Sequence, residues 1–414
     1  MFYRSRETKC RVAESESMPT VKPDRPVKLL RITHTLRSES GGPSESVRRS
    51  TMELLRLGHH VEIVALDLPQ DYAEESDLTI HALGLTRSSY GKTPQLETWL
   101  KENRSRFDAV LVHGLWQYQG WGTYRALRNT DTPYLVFPHG MLDPWFRRAY
   151  PVKHWKKQIY WWLREYRVLR SAAAICFTCA EERRLARGSF KPYRVNERVV
   201  SYGTADPAGD STSQVAAWHQ FCPELKRRPY LLYLGRIHSK KGVELLLQAY
   251  AQVLGRASDA PALVIAGPCE SEAYLDELKA LATRICPVGS VYWPGMVKGD
   301  VKWGAMRSCE AFCLTSHQEN FGIAVAEALA CGRPVLISRQ VNIWREVVDD
   351  GAGFAEENTV QGAVKLLRAW AELDVTARAE MGRLARACFL RRYEIRRAAE
   401  SLVETVRAYL RWVA

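Results

Sequence analysis

Between Ala311 and Ile337 the chain passes from a short apolar run (Ala311–Leu314) through a polar loop (316–322) into an Ala-, Leu- and Val-rich stretch ending at Gly332. Pro334 then opens a second apolar run, Val335-Leu336-Ile337. That order is strand, loop, helix, strand. Two fully apolar strands joined by a helix are expected to lie parallel, in a sheet covered on both faces. The free N–H groups at the helix start then face the carboxyl end of the first strand, a place that binds anions, phosphates above all. Glu319, before the helix, and Glu327, inside it, flank that place. A carboxylate there would repel a phosphate, so both glutamates are better suited to accept hydrogen bonds from sugar or ribose hydroxyls.

The same alternation runs along most of the chain. Strands are expected at 27–33, 61–66, 109–113, 134–137 and 173–178, and again at 230–234, 262–266 and 290–293, with helices between them. The interval 204–229 is polar, with Pro207, Gly209 and a Ser/Thr cluster, and its two ends read as a linker. At 414 residues the chain exceeds what one core supports. The expected architecture is α/β, two doubly wound Rossmann-like domains facing across a cleft. Residues 1–26 read as a disordered tail, 27–205 and 206–390 as the two domains, and 391–414 as a helix with Ala399, Leu402, Val403, Val406 and Leu410 as its apolar stripe.

Apolar content of 46% and charged content of 25% suit a soluble globular protein. No apolar run is long enough to span a bilayer, and residues 1–26 lack the apolar core of a secretory leader. Ten scattered cysteines suit reduced thiols in a cytosolic enzyme. Cys176 and Cys179 are spaced as Cys-x-x-Cys, but with no second pair or His cluster nearby they read as two strand residues. A formal charge of +13 calls for anionic partners, among which nucleic acid, membrane and nucleoside diphosphate all qualify.

The second domain opens with Gly235-Arg236-Ile237-His238-Ser239-Lys240-Lys241-Gly242. Arg236 at a strand end and Lys241 before a helix would hold a diphosphate and stabilise it as it leaves. Lys240 reads as facing solvent.

Taken together, GR-x4-KG and SHQENFGIAVAEALACGRPVLIS resemble the signature of retaining, nucleotide-sugar-dependent glycosyltransferases of family 4 (group 1), which include sucrose synthases and bacterial polysaccharide transferases. The resemblance spans residues 27–414 and is tightest over 230–350. It implies the GT-B fold, with the terminal helix crossing back onto the first domain. It also implies that Glu327 takes the ribose hydroxyls and Glu319 those of the transferred sugar. Backbone N–H groups of Phe321, Gly322 and Ile323 would cap the phosphate, and the loop around Val297 would take the base. His139, in Pro138-His139-Gly140, would sit against the donor sugar. Val112-His113-Gly114-Leu115-Trp116 resembles an acceptor-side loop, and Gly41-Gly42 lets backbone approach a phosphate or acceptor. Where the family often has Asn-Gly after a strand, this chain has Ser201-Tyr202-Gly203-Thr204.

One further segment, 145–170, carries eight Lys and Arg residues against one acid, Glu165, interleaved with aromatics. Trp155, Ile159, Trp162 and Tyr166 fit one helical face, which is expected to turn to the core, with Tyr160 and Trp161 outward. The basic remainder suits anionic lipid or a lipid-diphosphate acceptor. No nucleic-acid-binding module surrounds it.

The expectation is therefore a hexosyltransferase using a UDP- or GDP-sugar and a saccharide or polyprenyl-diphosphate-linked acceptor, in exopolysaccharide or lipopolysaccharide assembly. It would lie in the cytoplasm, peripheral to the membrane's inner face. No Asp-x-Asp or His-rich cluster is placed to hold a metal, so no cofactor or metal is expected. A nucleotide-sugar epimerase on the same plan and a lapsed, non-catalytic binding subunit are the competing readings.

Overall fold

The computed structural model describes residues 25–37, 42–72, 77–85, 88–225, 228–254 and 260–410. Residues 1–24, most of the expected tail, and 411–414 lie outside that set.

Among the described residues thirteen strands form two sheets. The first holds β1 (Lys28–Thr33), β2 (His60–Ala65), β3 (Ile80–Ala82), β4 (Ala109–His113), β5 (Tyr134–Phe137), β6 (Ala174–Phe177) and β7 (Glu197–Val199), in the order β3-β2-β1-β4-β5-β6-β7. The second holds β8 (Tyr230–Leu234), β9 (Ala262–Ala266), β10 (Val291–Gly295), β11 (Ala311–Leu314), β12 (Val335–Ser338) and β13 (Gly353–Glu356), in the order β10-β9-β8-β11-β12-β13. Every strand pairing is parallel.

Parallel strands need crossovers, and the helices that make them cover both faces, which is why the central strands are mostly apolar and lie buried on both sides. AVLVH in β4, ALVIA in β9 and AFCL in β11 are buried throughout. Strand order reverses between β1 and β4 in one sheet and between β8 and β11 in the other. At such reversals the loops leave in opposite directions and open a crevice at the strands' carboxyl ends.

Five helices shape the crevice and the surfaces around it: α1 (Gly42–Arg56), α2 (Pro151–Tyr160), α3 (Val243–Val253), α4 (Ile323–Ala330) and α5 (Ile395–Arg407). Between the two ends read as a linker lies a helix, Ser211–Phe221, started by Asp210, whose side chain accepts from Ser213 N, and anchored by the fully buried Trp218. The terminal helix begins later than expected. A π turn, Phe389–Tyr393, ends at the extended Glu394, and α5 then lays Ala399, Leu402, Val403 and Val406 against Val27, Leu29 and Leu111 of the first sheet. The chain crosses between the sheets at Thr204 and at Glu394, side by side. Thr204 N donates to Tyr393 O at 2.9 Å, and Ile395 N donates to Thr204 O at 3.1 Å.

Two details depart from the sequence reading. Cys176 lies in β6, but Cys179 caps the helix Ala180–Ala186, its sulfur accepting from Glu182 N; burial pushes both thiols up, so they are inert. Trp155, Ile159 and Trp162 face solvent, while Trp161 is fully buried against Phe190 and Tyr193 and Tyr160 is partly buried. A helical period groups Trp155, Ile159 and Trp162 on one face without saying which way it turns; past them, the π turn over Trp161–Glu165 shifts the register, and Tyr166 stacks on Trp161 instead.

Candidate active site

The loops after β8 and β11 are tied together. Thr315 Oγ1 donates to Gly242 O at 2.7 Å and His317 N to Lys240 O at 2.8 Å. That places Lys241, the last residue of the turn Ser239–Lys241 before α3, against Glu319, to which its ammonium is bonded. Both side chains are about one-fifth exposed, at 19% and 20%. Glu319 is fixed through its backbone: its N–H donates to Gln340 O at 2.9 Å and its carbonyl accepts from Asn342 N at 3.1 Å. Arg236 stands further out, its guanidinium 2.6 Å from Glu270, both largely exposed.

Gly322 precedes α4 with φ +77°, a conformation that favours glycine, and turns the first N–H groups of the helix out of the loop. Those groups have no acceptor within the helix. Phe321 is buried edge-on against Tyr202 and Tyr393, and Ile323 lines the cleft. Glu327, in the second turn of α4, is 4% exposed. Its carboxylate accepts from Lys302 Nζ and lies 4.0 Å from Arg49 Nη1 of α1. Sequence reasoning misses Lys302, because nothing local marks it as the partner of a residue 25 positions on. The side chain of Val297 belongs to the core; its neighbour Met296, 52% exposed, forms the wall instead.

On the first domain, β4 and β5 are neighbours, so the residues that end them meet. His113 Nδ1 lies 3.0 Å from His139 Nε2, with the rings stacked at 5.3 Å. Burial, reinforced by the nearby Arg31, holds His113 well below its ordinary range and lowers His139 to about 4. Both rings are therefore neutral at pH 7, and one donates to the other. His139 has φ +50° and faces the cleft. Arg31 is buried, its Nη1 donating to Val47 O (2.9 Å), Ser50 Oγ (2.6 Å) and Thr51 Oγ1 (3.1 Å); burial lowers it to about 10, so it stays charged at neutral pH. Trp116 turns away, into a cluster with Tyr160, Trp161 and Phe190 beneath Lys157 Nζ. Its backbone N–H donates to Glu165, which burial pushes up to about 8. Gly41 lies outside the described residues. Gly42 starts α1 on the cleft wall, where an added Cβ would sit 3.4 Å from Ile323.

The two walls touch. Gln318 Nε2 donates to Asp143 Oδ2 and Asn320 Nδ2 to Thr178 Oγ1, each at 3.3 Å. Lys240, expected in solvent, crosses instead to the rings of Trp145 (5.0 Å) and Phe146 (4.8 Å). The desolvated cation is attracted by the ring faces. Between the walls lies a cleft of about 750 Å³ lined by His139, Arg236, Lys241, Glu319 and the start of α4. Among the described residues no group of three or more His, Cys, Asp or Glu side chains is placed to hold a metal ion.

Residues 216–387 match the family "Glycosyl transferases group 1", and residues 41–203 match "Glycosyl transferase 4-like domain". A D-inositol 3-phosphate glycosyltransferase of Xylanimonas cellulosilytica is 31% identical over 161 residues, 38% of this chain and 36% of that protein. An alpha-D-kanosaminyltransferase of Streptomyces kanamyceticus is 28% identical over 199 residues, 46% of this chain and 48% of that protein. The matched stretch thus spans less than half of either relative. Among solved structures, Anabaena HepE in complex with UDP and glucose superposes with a TM-score of 0.71 at 16% identity, covering 92% of this chain and 99% of that one. Sucrose-phosphate synthase from Thermosynechococcus elongatus gives 0.69 at 17%, covering 91% and 98%. Two parallel-sheet domains with these neighbours are the GT-B fold, the second domain being similar to group 1 glycosyltransferases and the first to the glycosyl transferase 4-like domain.

Proposed function

We propose that this protein transfers a hexose from a UDP- or GDP-sugar to a saccharide or polyprenyl-diphosphate-linked acceptor, with retention of anomeric configuration. One observation carries it: a cation and a carboxylate, Lys241 and Glu319, are held together at the strand-order reversal of the second sheet, beside the open start of α4. A diphosphate offers Lys241 a stronger partner, and the sugar's hydroxyls offer Glu319 another. HepE, whose structure with UDP-glucose superposes on this chain, is a neighbour that binds such a donor.

In the proposed reaction the bond from the anomeric carbon to the phosphate oxygen breaks, its electron pair leaving on the diphosphate. Lys241, Arg236 and the α4 N–H groups stabilise that charge. The acceptor oxygen bonds to the same face of the anomeric carbon, and its proton passes to the departing phosphate oxygen. Neutral His139 contributes hydrogen bonding to the sugar without adding charge. Double displacement would need a carboxylate nucleophile on the sugar's far face, and Glu319, on the side of the hydroxyls, is poorly suited to it.

No metal takes part in this scheme, and the setting proposed is polysaccharide assembly at the cytoplasmic side of a membrane. Among the described residues no helix is long and apolar enough to cross one. A thermal-shift screen of UDP-, GDP- and ADP-sugars tests the donor, since the true one raises the melting temperature by mass action. Turnover that dies with chelator and returns with manganese would overturn the metal-free scheme. An inverted product would overturn retention, and donor turnover without an acceptor would favour an epimerase.

A further inference from the structure

The rod made by α2 and the π turn Trp161–Glu165 is attached by the buried Trp161, by the Trp162 indole N–H, which donates to Lys191 O at 2.8 Å, and by its polar side. Gln158 Nε2 donates to Lys191 O at 2.6 Å, His154 stacks on Phe190 at 4.5 Å, and Lys157 covers Trp116 at 4.6 Å. Its apolar side meets water: Val152, Trp155, Ile159, Trp162 and Leu163 are 69%, 58%, 42%, 49% and 62% exposed. Val152, Trp155, Ile159, Trp162 and Leu163 stand at i, i+3, i+7, i+10 and i+11, the spacing of a single helical face, while Trp161 lies off it and is buried. A contiguous stripe of two indoles and three aliphatic chains marks a surface with a partner.

Charge decides which partner. Arg147, Arg148, Lys153, Lys156, Arg167 and Arg170 are exposed around the stripe, and Glu165, the single acid between 145 and 170, is buried. A second copy of the chain would set one cationic rim against another. An anionic bilayer supplies the opposite charge together with an apolar layer for the indoles. We propose that this face docks on an anionic lipid bilayer, with the indoles of Trp155 and Trp162 at headgroup depth and the surrounding cations over lipid phosphates. Phe146, in the segment leading into the rod, lines the cleft, so the docked bilayer lies near its mouth. Docking stands on this surface alone; its use in delivering a lipid-linked acceptor rests on the transfer reaction proposed above.

The test is sedimentation of the full chain with vesicles of phosphatidylcholine containing about 30 mol % phosphatidylglycerol, against phosphatidylcholine alone. Wild type is expected to sediment with the anionic vesicles and to be released as salt rises. The triple variant Val152→Glu, Trp155→Glu, Leu163→Glu and the pair Lys153→Glu, Lys156→Glu are each expected to weaken binding by at least about tenfold. Because all five positions are exposed, the melting temperature and its shift with donor sugar stay at wild-type values. Wild type left in the supernatant, variants that sediment equally, or a light-scattering dimer abolished by Trp155→Glu without any lipid binding would each overturn the proposal. Loss of the donor shift with vesicle binding intact would instead strike the transfer reading and leave docking standing.

Discussion

On the second-domain wall of the cleft two cations have carboxylate companions, Lys241 with Glu319 and Arg236 with Glu270, whereas on the first-domain wall His113 and His139 lean on one another and are driven neutral. The two walls therefore select different chemistry. A bare anion that takes Lys241 strands the carboxylate of Glu319, which costs free energy in a half-buried site. A ligand carrying both a diphosphate and hydroxyls satisfies both members of the pair. The histidine wall suits the uncharged part of such a ligand. Selectivity for a sugar nucleotide over phosphate then arises from the pairing itself.

The contrast can be broken most sharply at Lys241. Lys241→Ala removes the cation and isolates Glu319, and the expected fall in kcat/KM for the donor is about 10²–10³-fold. A fall under about threefold would place the diphosphate elsewhere. Gly140→Ala tests how closely the walls must approach. Gly140 has φ +76°, and an added Cβ would meet the Asn320 side chain at 2.7 Å. The expected cost is about 1–3 kcal/mol in urea denaturation, with part of it recovered by adding Asn320→Ala.

Arg236→Ala should be milder. Its pair with Glu270 is exposed, so stability is expected to change by less than about 1 kcal/mol while donor KM rises about tenfold. A further expected effect is in pH dependence. In the folded chain both histidines titrate below the ordinary value of 6.5, so as the pH falls the unfolded chain takes up protons first. Stability is thus expected to be retained at pH 7, to decline from about pH 6.5 toward pH 4, and not to recover below. Urea midpoints at pH 7 and 5 measure this, and His139→Gln should flatten the slope.

The sheet and the loop ends were legible because parallel strands are unbroken apolar runs whose carboxyl ends can be numbered. β3 and β13 escaped: Ile80–Ala82 is three half-buried residues, and Gly353–Glu356 is buried only at its first, so neither shows a buried strand's pattern. At the site, Lys241 and Glu319 could be named from spacing, but their mutual bond could not. Lys302 and the Trp145–Phe146 seat of Lys240 depend on elements meeting in space, which leaves no local trace. The stripe through Trp155, Ile159 and Trp162 is visible in the sequence but its orientation is not, since periodicity marks an apolar face without saying what covers it.

The paired crossings at Thr204 and Glu394 carry a mechanical consequence. A lone connector would let the halves swivel in any direction. Two strands stitched side by side by a pair of hydrogen bonds act as the spine of a book, permitting the covers to part and shut while resisting twist. Opening and closing of the cleft is therefore expected to follow one angle, which a pair of fluorescent labels on opposite rims could track during turnover.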